Sequence, residues 1–233
     1  MLPIGDDNIK GQGPAFVTIS FIALNVMAFF LELSQPGEAA LQSFVEAWGV
    51  VPREYTIGTD LPPVIDMPVW STLFTSMFLH GGWGHLLGNM LFLWVFGDNV
   101  EHRVGHGRFF IFYLATGIAA ALAHIWFNAD SIIPTVGASG AISGVLGGYL
   151  IMFPRNRVYV LTWGGVMAVP AIFMLGLWIL MQFVNGFGSV ASTTSETGGV
   201  AYLAHIGGFI AGMILAPLLG IGQGGGEEPR ARR

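Results

Sequence analysis

Four polar side chains stand inside otherwise apolar stretches of this sequence: Ser139, His205, His85 and Asn89. A serine hydroxyl becomes a nucleophile when an imidazole removes its proton, so Ser139 with His205 predicts acyl transfer. His85 and Asn89 are four residues apart, which places two hydrogen-bond donors on one helix face where they could stabilise an oxyanion. Taken singly, each residue also fits a structural role, either a bond to its own helix or a bond between two helices.

The composition defines the surroundings of these residues. Of the 233 residues, 53% are apolar and only 10% are charged, whereas a soluble domain carries about 25% charged residues. The mean hydropathy is +0.66, which is typical of a polytopic membrane protein. The absence of cysteine excludes disulfides, thiolate metal sites and a cysteine nucleophile, and the net charge of −5 argues against a nucleic-acid partner.

Apolar stretches long enough to cross a bilayer predict six membrane spans. They cover residues 15–33, 85–99, 108–127, 137–153, 166–184 and 200–220. We therefore expect an all-α membrane protein with a six-helix domain over residues 15–220 and polar tails at 1–14 and 221–233. The long loop at 34–84 is expected to be partly helical and to lie on the membrane surface.

The distribution of basic residues predicts the orientation, because Lys and Arg accumulate in cytoplasmic loops. With six spans, only Arg53 falls on the outer side. The other eight basic residues all fall on the opposite side: Lys10, Arg103, Arg108, Arg155, Arg157, Arg230, Arg232 and Arg233. Both termini are therefore expected in the cytoplasm.

In this topology the second, fourth and sixth spans all start at the outer face, and each brings a polar residue to a similar shallow depth. Asp or Glu is missing at that depth, so the pattern predicts a Ser-His dyad rather than a triad. Glycine pairs spaced four apart, Gly140 with Gly144 and Gly208 with Gly212, let helix backbones approach closely. If these two stripes face each other, Ser139 and His205 come within hydrogen-bond reach.

Several motifs between about residues 48 and 213 resemble those of the rhomboid family of intramembrane serine proteases. They are WGVVP at 48–52, TSMFLH at 75–80, HLLGNM at 85–90, FGDNVE at 96–101, GASG at 137–140 and AHIGG at 204–208. The resemblance implies a rhomboid-like bundle of six helices that cleaves transmembrane substrates from within the lipid bilayer. It also implies an integral multi-pass protein of the bacterial cell membrane, with no cofactor or metal.

By the same motifs, Ser139 matches the family nucleophile, His205 the general base, and His85 and Asn89 the oxyanion-hole side chains. The sequence departs from the family at Ser143, where many members have an aromatic residue that stacks on the base. An alternative function is a non-catalytic rhomboid-like membrane protein that binds transmembrane helices. A channel or transporter is disfavoured because the polar groups cluster near one face and the spans show no inverted repeat.

Overall fold

A computed structural model describes residues 2–7, 13–191 and 201–220, with side chains described except at 187–191. Within these residues the chain is mostly helical and also contains one small sheet. The helices are α1 (Phe16–Leu33), α2 (Glu38–Trp48), α3 (Pro52–Ile57), α4 (Thr72–Thr75), α5 (Trp83–Val104), α6 (His106–Phe127), α7 (Ser139–Met152), α8 (Ala171–Ala191) and α9 (Tyr202–Gly220). Single 3₁₀ turns at Val69–Ser71 and Ser76–Phe78 flank α4.

Each predicted span overlaps one of the long helices α1, α5, α6, α7, α8 and α9. Three of the described helices, α1, α6 and α9, are long and apolar enough to cross a membrane, and α7 and part of α8 are shorter apolar helices. Helix α5 extends five residues beyond the predicted end at residue 99 and includes charged residues there. The predicted tail at 221–233, Lys10 and the expected start of the sixth span at residue 200 lie outside the described residues.

The prediction of an all-α fold is wrong in one region, where three strands form an antiparallel sheet in the order β1 (Leu2–Asp6), β2 (Arg157–Thr162), β3 (Gly165–Pro170). Strand β1 lies within the predicted polar tail 1–14. Strand β3 occupies the first residues of the predicted fifth span, so the helix starts only at Ala171. The β2–β3 hairpin turns at Trp163–Gly164, and Gly165 then adopts a φ of +109° that favours glycine.

Helix α7 lies at the centre of the protein, packed between α5, α6 and α9. Its middle residues are almost all buried, and Val145, Leu146 and Tyr149 belong to the main hydrophobic core. The loop at 34–84 is partly helical, as expected, and its segment Ser76–Phe78 reaches the start of α7, where the Gly137 N–H donates to the Ser76 carbonyl at 2.8 Å. This hydrogen bond joins the loop to the residues just before α7.

The fully buried Glu101 joins the far end of α5 to the start of α1. Its carboxylate accepts hydrogen bonds from the Val17 N–H at 2.9 Å and from the Thr18 N–H and hydroxyl at 2.7 and 2.6 Å. A carboxylate at a helix N-terminus satisfies free N–H groups and interacts favourably with the helix dipole. This contact explains how a charged residue can belong to a helix of the bundle.

Strand β1 is attached to the helical bundle through Asp6. Its Oδ2 accepts hydrogen bonds from the Asn99 side chain at 2.7 Å and from the Tyr149 hydroxyl. Burial, with smaller contributions from the nearby carboxylates of Asp98 and Asp7, raises the pKa of Asp6 from 3.8 to about 7. The docked strand therefore holds a proton on Asp6 over a pH range in which the free strand has lost it.

We expect the docking of β1 to be strongest below about pH 4 and to weaken as the pH rises through about 7, because the raised pKa penalises the ionised form. Hydrogen exchange of the β1 amides, corrected for the intrinsic rate, should therefore be slower at about pH 5 than at about pH 8. The Asp6→Asn variant should lose this pH dependence. Equal protection at both pH values in the wild-type protein would contradict the prediction.

Candidate active site

The structure brings Ser139 and His205 into contact. Ser139 is the first residue of α7 and His205 lies in the first turn of α9, and His205 Nε2 is 2.8 Å from Ser139 Oγ. His205 is 9% exposed and Ser139 is half-buried, so the pair lies at the edge of the core with one side open. A hydroxyl hydrogen-bonded to an imidazole is the geometry of a nucleophile beside its base.

Glycines produce this contact by letting α7 and α9 touch through their backbones. A β-carbon placed on Gly208 would lie 2.1 Å from the Gly140 carbonyl oxygen, and one on Gly212 would lie 1.9 Å from the Gly144 carbonyl oxygen. The two glycine stripes therefore face each other, which is the condition under which their spacing brings Ser139 and His205 within hydrogen-bond reach. Larger residues would move the backbones apart and separate the hydroxyl from the imidazole.

His85 borders the same small space as Ser139. Gly137 has a φ of +128°, and a β-carbon on it would lie 2.8 Å from His85 Nε2 and 3.5 Å from Ser139 Oγ. The His85 side chain is exposed, and its Nδ1 accepts a hydrogen bond from the Gly81 N–H at 3.3 Å. That bond leaves Nε2 as the protonated nitrogen, so the ring can donate toward the space in front of Ser139.

Asn89 lies one turn after His85 on α5, and it is 8% exposed. Its amide nitrogen, Nδ2, has no hydrogen-bond partner among the described residues. Such a donor is free to bind an anionic oxygen that arrives with a substrate. The neighbouring His80 stays uncharged in the loop before α5, because burial and the nearby His85 lower its pKa to about 4.

Two residues of α8, Gln182 and Trp178, contact the imidazole, and the sequence pattern assigned neither of them to His205. Gln182 Oε1 is 2.8 Å from His205 Nδ1, and the Trp178 ring centroid is 6.0 Å from that of His205 at an interplanar angle of 33°. Their spacing of four residues was the available signal, because it puts an amide and an indole on one face of an apolar helix. Ser143, at the position where an aromatic was expected, donates to the Ser139 carbonyl at 2.6 Å instead.

A cavity of about 30 Å³ lies behind Ser139. Small residues form much of its wall, among them Gly117, Ala120 and Ala204. One polar wall comes from His124, whose Nε2 is 2.8 Å from the hydroxyl of Thr135. A cavity of this size suits a small group such as a methyl, or one or two water molecules.

Comparisons with known proteins identify the family of the chain. The family model of the Rhomboid domain matches residues 68–221, which include every site residue named above. The chain belongs to the rhomboid family. Together with its apolar helices, membership makes this rhomboid an integral membrane protein.

Relatives of this rhomboid occur in bacteria and in eukaryotic organelles. Rhomboid protease GluP of Bacillus subtilis (strain 168) is 35% identical over 92% of this chain and 37% of its own length. Putative rhomboid protease YdcA of the same organism is 30% identical over 63% of this chain and 66% of its own. Rhomboid protein 1, mitochondrial, of Saccharomyces cerevisiae is 31% identical over 61% of this chain and 40% of its own. The matched region thus covers well under half of GluP and of the yeast protein.

Proposed function

We propose that this rhomboid is an intramembrane serine endopeptidase with Ser139 as nucleophile and His205 as general base. The observation that carries the proposal is the 2.8 Å contact between Ser139 Oγ and His205 Nε2. His205 removes the hydroxyl proton while Ser139 Oγ attacks the scissile carbonyl carbon. His205 then gives the proton to the leaving amine, which leaves an ester on Ser139. Water, deprotonated by the same imidazole, hydrolyses the ester and releases the carboxylic acid.

The tetrahedral intermediate carries a negative charge on the former carbonyl oxygen, which needs hydrogen-bond donors. We propose His85 Nε2, Asn89 Nδ2 and the backbone N–H of Ser139 as these donors. The first borders the space in front of Ser139, and the second has no other partner among the described residues. The third belongs to the first turn of α7, where helix N–H groups have no carbonyl partner within the helix.

The proposed substrates are transmembrane proteins, cut near the outer face of the bilayer. Six spans with both termini in the cytoplasm are part of this proposal. The sheet supports the position of the N-terminus, because β1 pairs with β2, which carries Arg157, at the end of the bundle opposite Ser139. Basic residues such as Arg157 accumulate on the cytoplasmic side. The cavity behind Ser139 favours a small side chain before the cut. The bacterial cell membrane is the proposed location, in line with the two Bacillus subtilis relatives.

Labelling with a fluorophosphonate tests the proposal, since this probe reacts with activated serines. We expect the purified protein to be labelled, and peptide mapping to find the label on Ser139 and on no other serine. The alternative function, a non-catalytic protein that binds transmembrane helices, predicts binding of a substrate helix without labelling. A folded protein that binds but is never labelled would therefore replace the proposed enzyme by that alternative.

We expect Asn89→Ala to lower kcat by about 10²- to 10³-fold with little change in KM, because its amide would contact the oxyanion only in the transition state. The matched control is Asn25→Ala, which removes another buried asparagine amide, in α1, where it bonds the Phe21 carbonyl at 2.7 Å. That variant should keep kcat. Steady-state cleavage of a transmembrane substrate in detergent measures both, and a wild-type kcat for Asn89→Ala would remove Asn89 from the oxyanion hole.

A further inference from the structure

The His205 ring has a partner at each nitrogen. Nε2 contacts Ser139 Oγ at 2.8 Å, and Nδ1 contacts Gln182 Oε1 at 2.8 Å. If His205 accepts the serine proton, Nε2 must carry the lone pair and Nδ1 must carry the hydrogen. Nδ1–H then donates to the amide oxygen of Gln182, which is the arrangement that leaves every one of these groups satisfied.

Helix α8 holds the ring in a second way as well. Trp178, one turn before Gln182, lies against the imidazole and also contacts Phe209, with a centroid separation of 6.0 Å to each ring. The amide therefore fixes the edge of the imidazole while the indole restricts its face. Ser139 and His205 belong to α7 and α9, so the orientation of the base depends on a third helix that supplies neither member of the pair.

We propose that Gln182 is the positioning residue that holds His205 in the tautomer and orientation required to deprotonate Ser139. This inference rests on the proposed function and deepens it. The Ser-His pair becomes part of a Ser-His-Gln triad whose third member is neutral. An amide oxygen orients the ring and selects the tautomer, but it lacks the charge by which a carboxylate stabilises an imidazolium. In a triad with a carboxylate, the wrong tautomer lowers kcat by about 10⁴-fold. We expect a smaller loss here, about 10- to 100-fold, because removing the amide oxygen leaves both tautomers of His205 accessible and does not impose the wrong one.

Two substitutions separate a hydrogen-bond role of Gln182 from a packing role. Gln182→Met keeps the length and volume of the side chain and removes the acceptor, whereas Gln182→Glu keeps an acceptor oxygen in either protonation state. We expect Gln182→Met to lower kcat about 10- to 100-fold at unchanged KM, and Gln182→Glu to keep kcat within about five-fold of wild type. Asn185→Leu, at an exposed position of the same helix, is the matched control and should keep kcat.

Nitrogen NMR of protein labelled in its six histidines supplies a readout that packing alone would not move. The wild-type protein and Gln182→Glu should show His205 with hydrogen on Nδ1, assigned by comparison with a His205→Asn sample. Gln182→Met should show a mixture of the two tautomers. If Gln182→Met keeps the wild-type kcat and tautomer, the positioning role is overturned while the protease assignment stands.

Equal losses in Gln182→Met and Gln182→Glu, together with a lowered melting temperature, would also overturn the inference, because they would assign Gln182 to packing. A different failure belongs to the proposed function. If the folded wild-type protein neither cleaves substrate nor reacts with the fluorophosphonate, the protease proposal fails, whatever tautomer His205 adopts.

Discussion

We expect Ser139→Ala to reduce cleavage of a transmembrane substrate by at least about 10⁴-fold, the scale on which removal of a catalytic serine acts in serine proteases. The reason is chemical: alanine has no oxygen that could form the acyl-enzyme, and the remaining groups can only bind the substrate and polarise its carbonyl. The measurement is the rate of product formation by purified protein in detergent or in vesicles. Substrate binding should survive, because the hydroxyl contributes little to the contact area.

Ser143→Ala is the matched control for this prediction. Ser143 lies one turn further along α7 and is buried. Its hydroxyl donates a hydrogen bond to the Ser139 carbonyl, within the same helix. Its loss should leave the cleavage rate within about two-fold, because such bonds contribute little to helix stability. Equal cleavage by wild type and Ser139→Ala would show that the activity belongs to another group or to a contaminant. A large loss in Ser143→Ala alone would move the nucleophile one turn along the helix.

The sequence predicted the positions of the long helices because a bilayer-crossing helix needs a long apolar stretch, and that requirement is local. It failed at Val166–Val169, part of β3, because a short apolar run has the same hydropathy in a strand as in a helix. It failed at Glu101 for a different reason. A prediction from hydropathy ends a membrane span where a charged residue occurs. In the structure this carboxylate is buried, because it accepts hydrogen bonds from N–H groups of a helix more than 80 residues away.

The residues of the candidate site also differ in how far the sequence could predict their contacts. Ser139 and His205 could be paired from the sequence because the glycine stripes on their helices restrict how those helices approach. Gln182 could not be assigned to His205, because α8 has no comparable stripe and its rotation is set by tertiary packing. Ser143, in place of an aromatic, left the orientation of His205 open, and we propose that the Trp178 and Gln182 contacts from α8 set it.

We expect Gly212→Ala to impair both folding and activity. The added carbon would lie 1.9 Å from the Gly144 carbonyl oxygen and 2.6 Å from the Gly144 carbonyl carbon. Those atoms are backbone in the middle of α7, so no side-chain rotation relieves the clash, and the two helices must separate. Overpacking of a core usually costs about 1–3 kcal/mol, and a backbone clash belongs at or above the upper end.

The same separation acts on the active site, because Gly212 lies two turns below His205 on α9. A displacement of about 1 Å between α7 and α9 would lengthen the Ser139–His205 contact beyond hydrogen-bond range, and misplacement of that size can cost about 10²-fold in rate.

Gly176→Ala is the matched control: it adds the same methyl group inside α8, where nothing lies within 4 Å. Alanine is a better helix former than glycine, so this variant should be as stable as wild type and fully active. Thermal unfolding in detergent and the cleavage rate, measured on both variants, test the pair. If Gly212→Ala matched Gly176→Ala in both, the backbone contact between α7 and α9 could not be what places the imidazole on the hydroxyl.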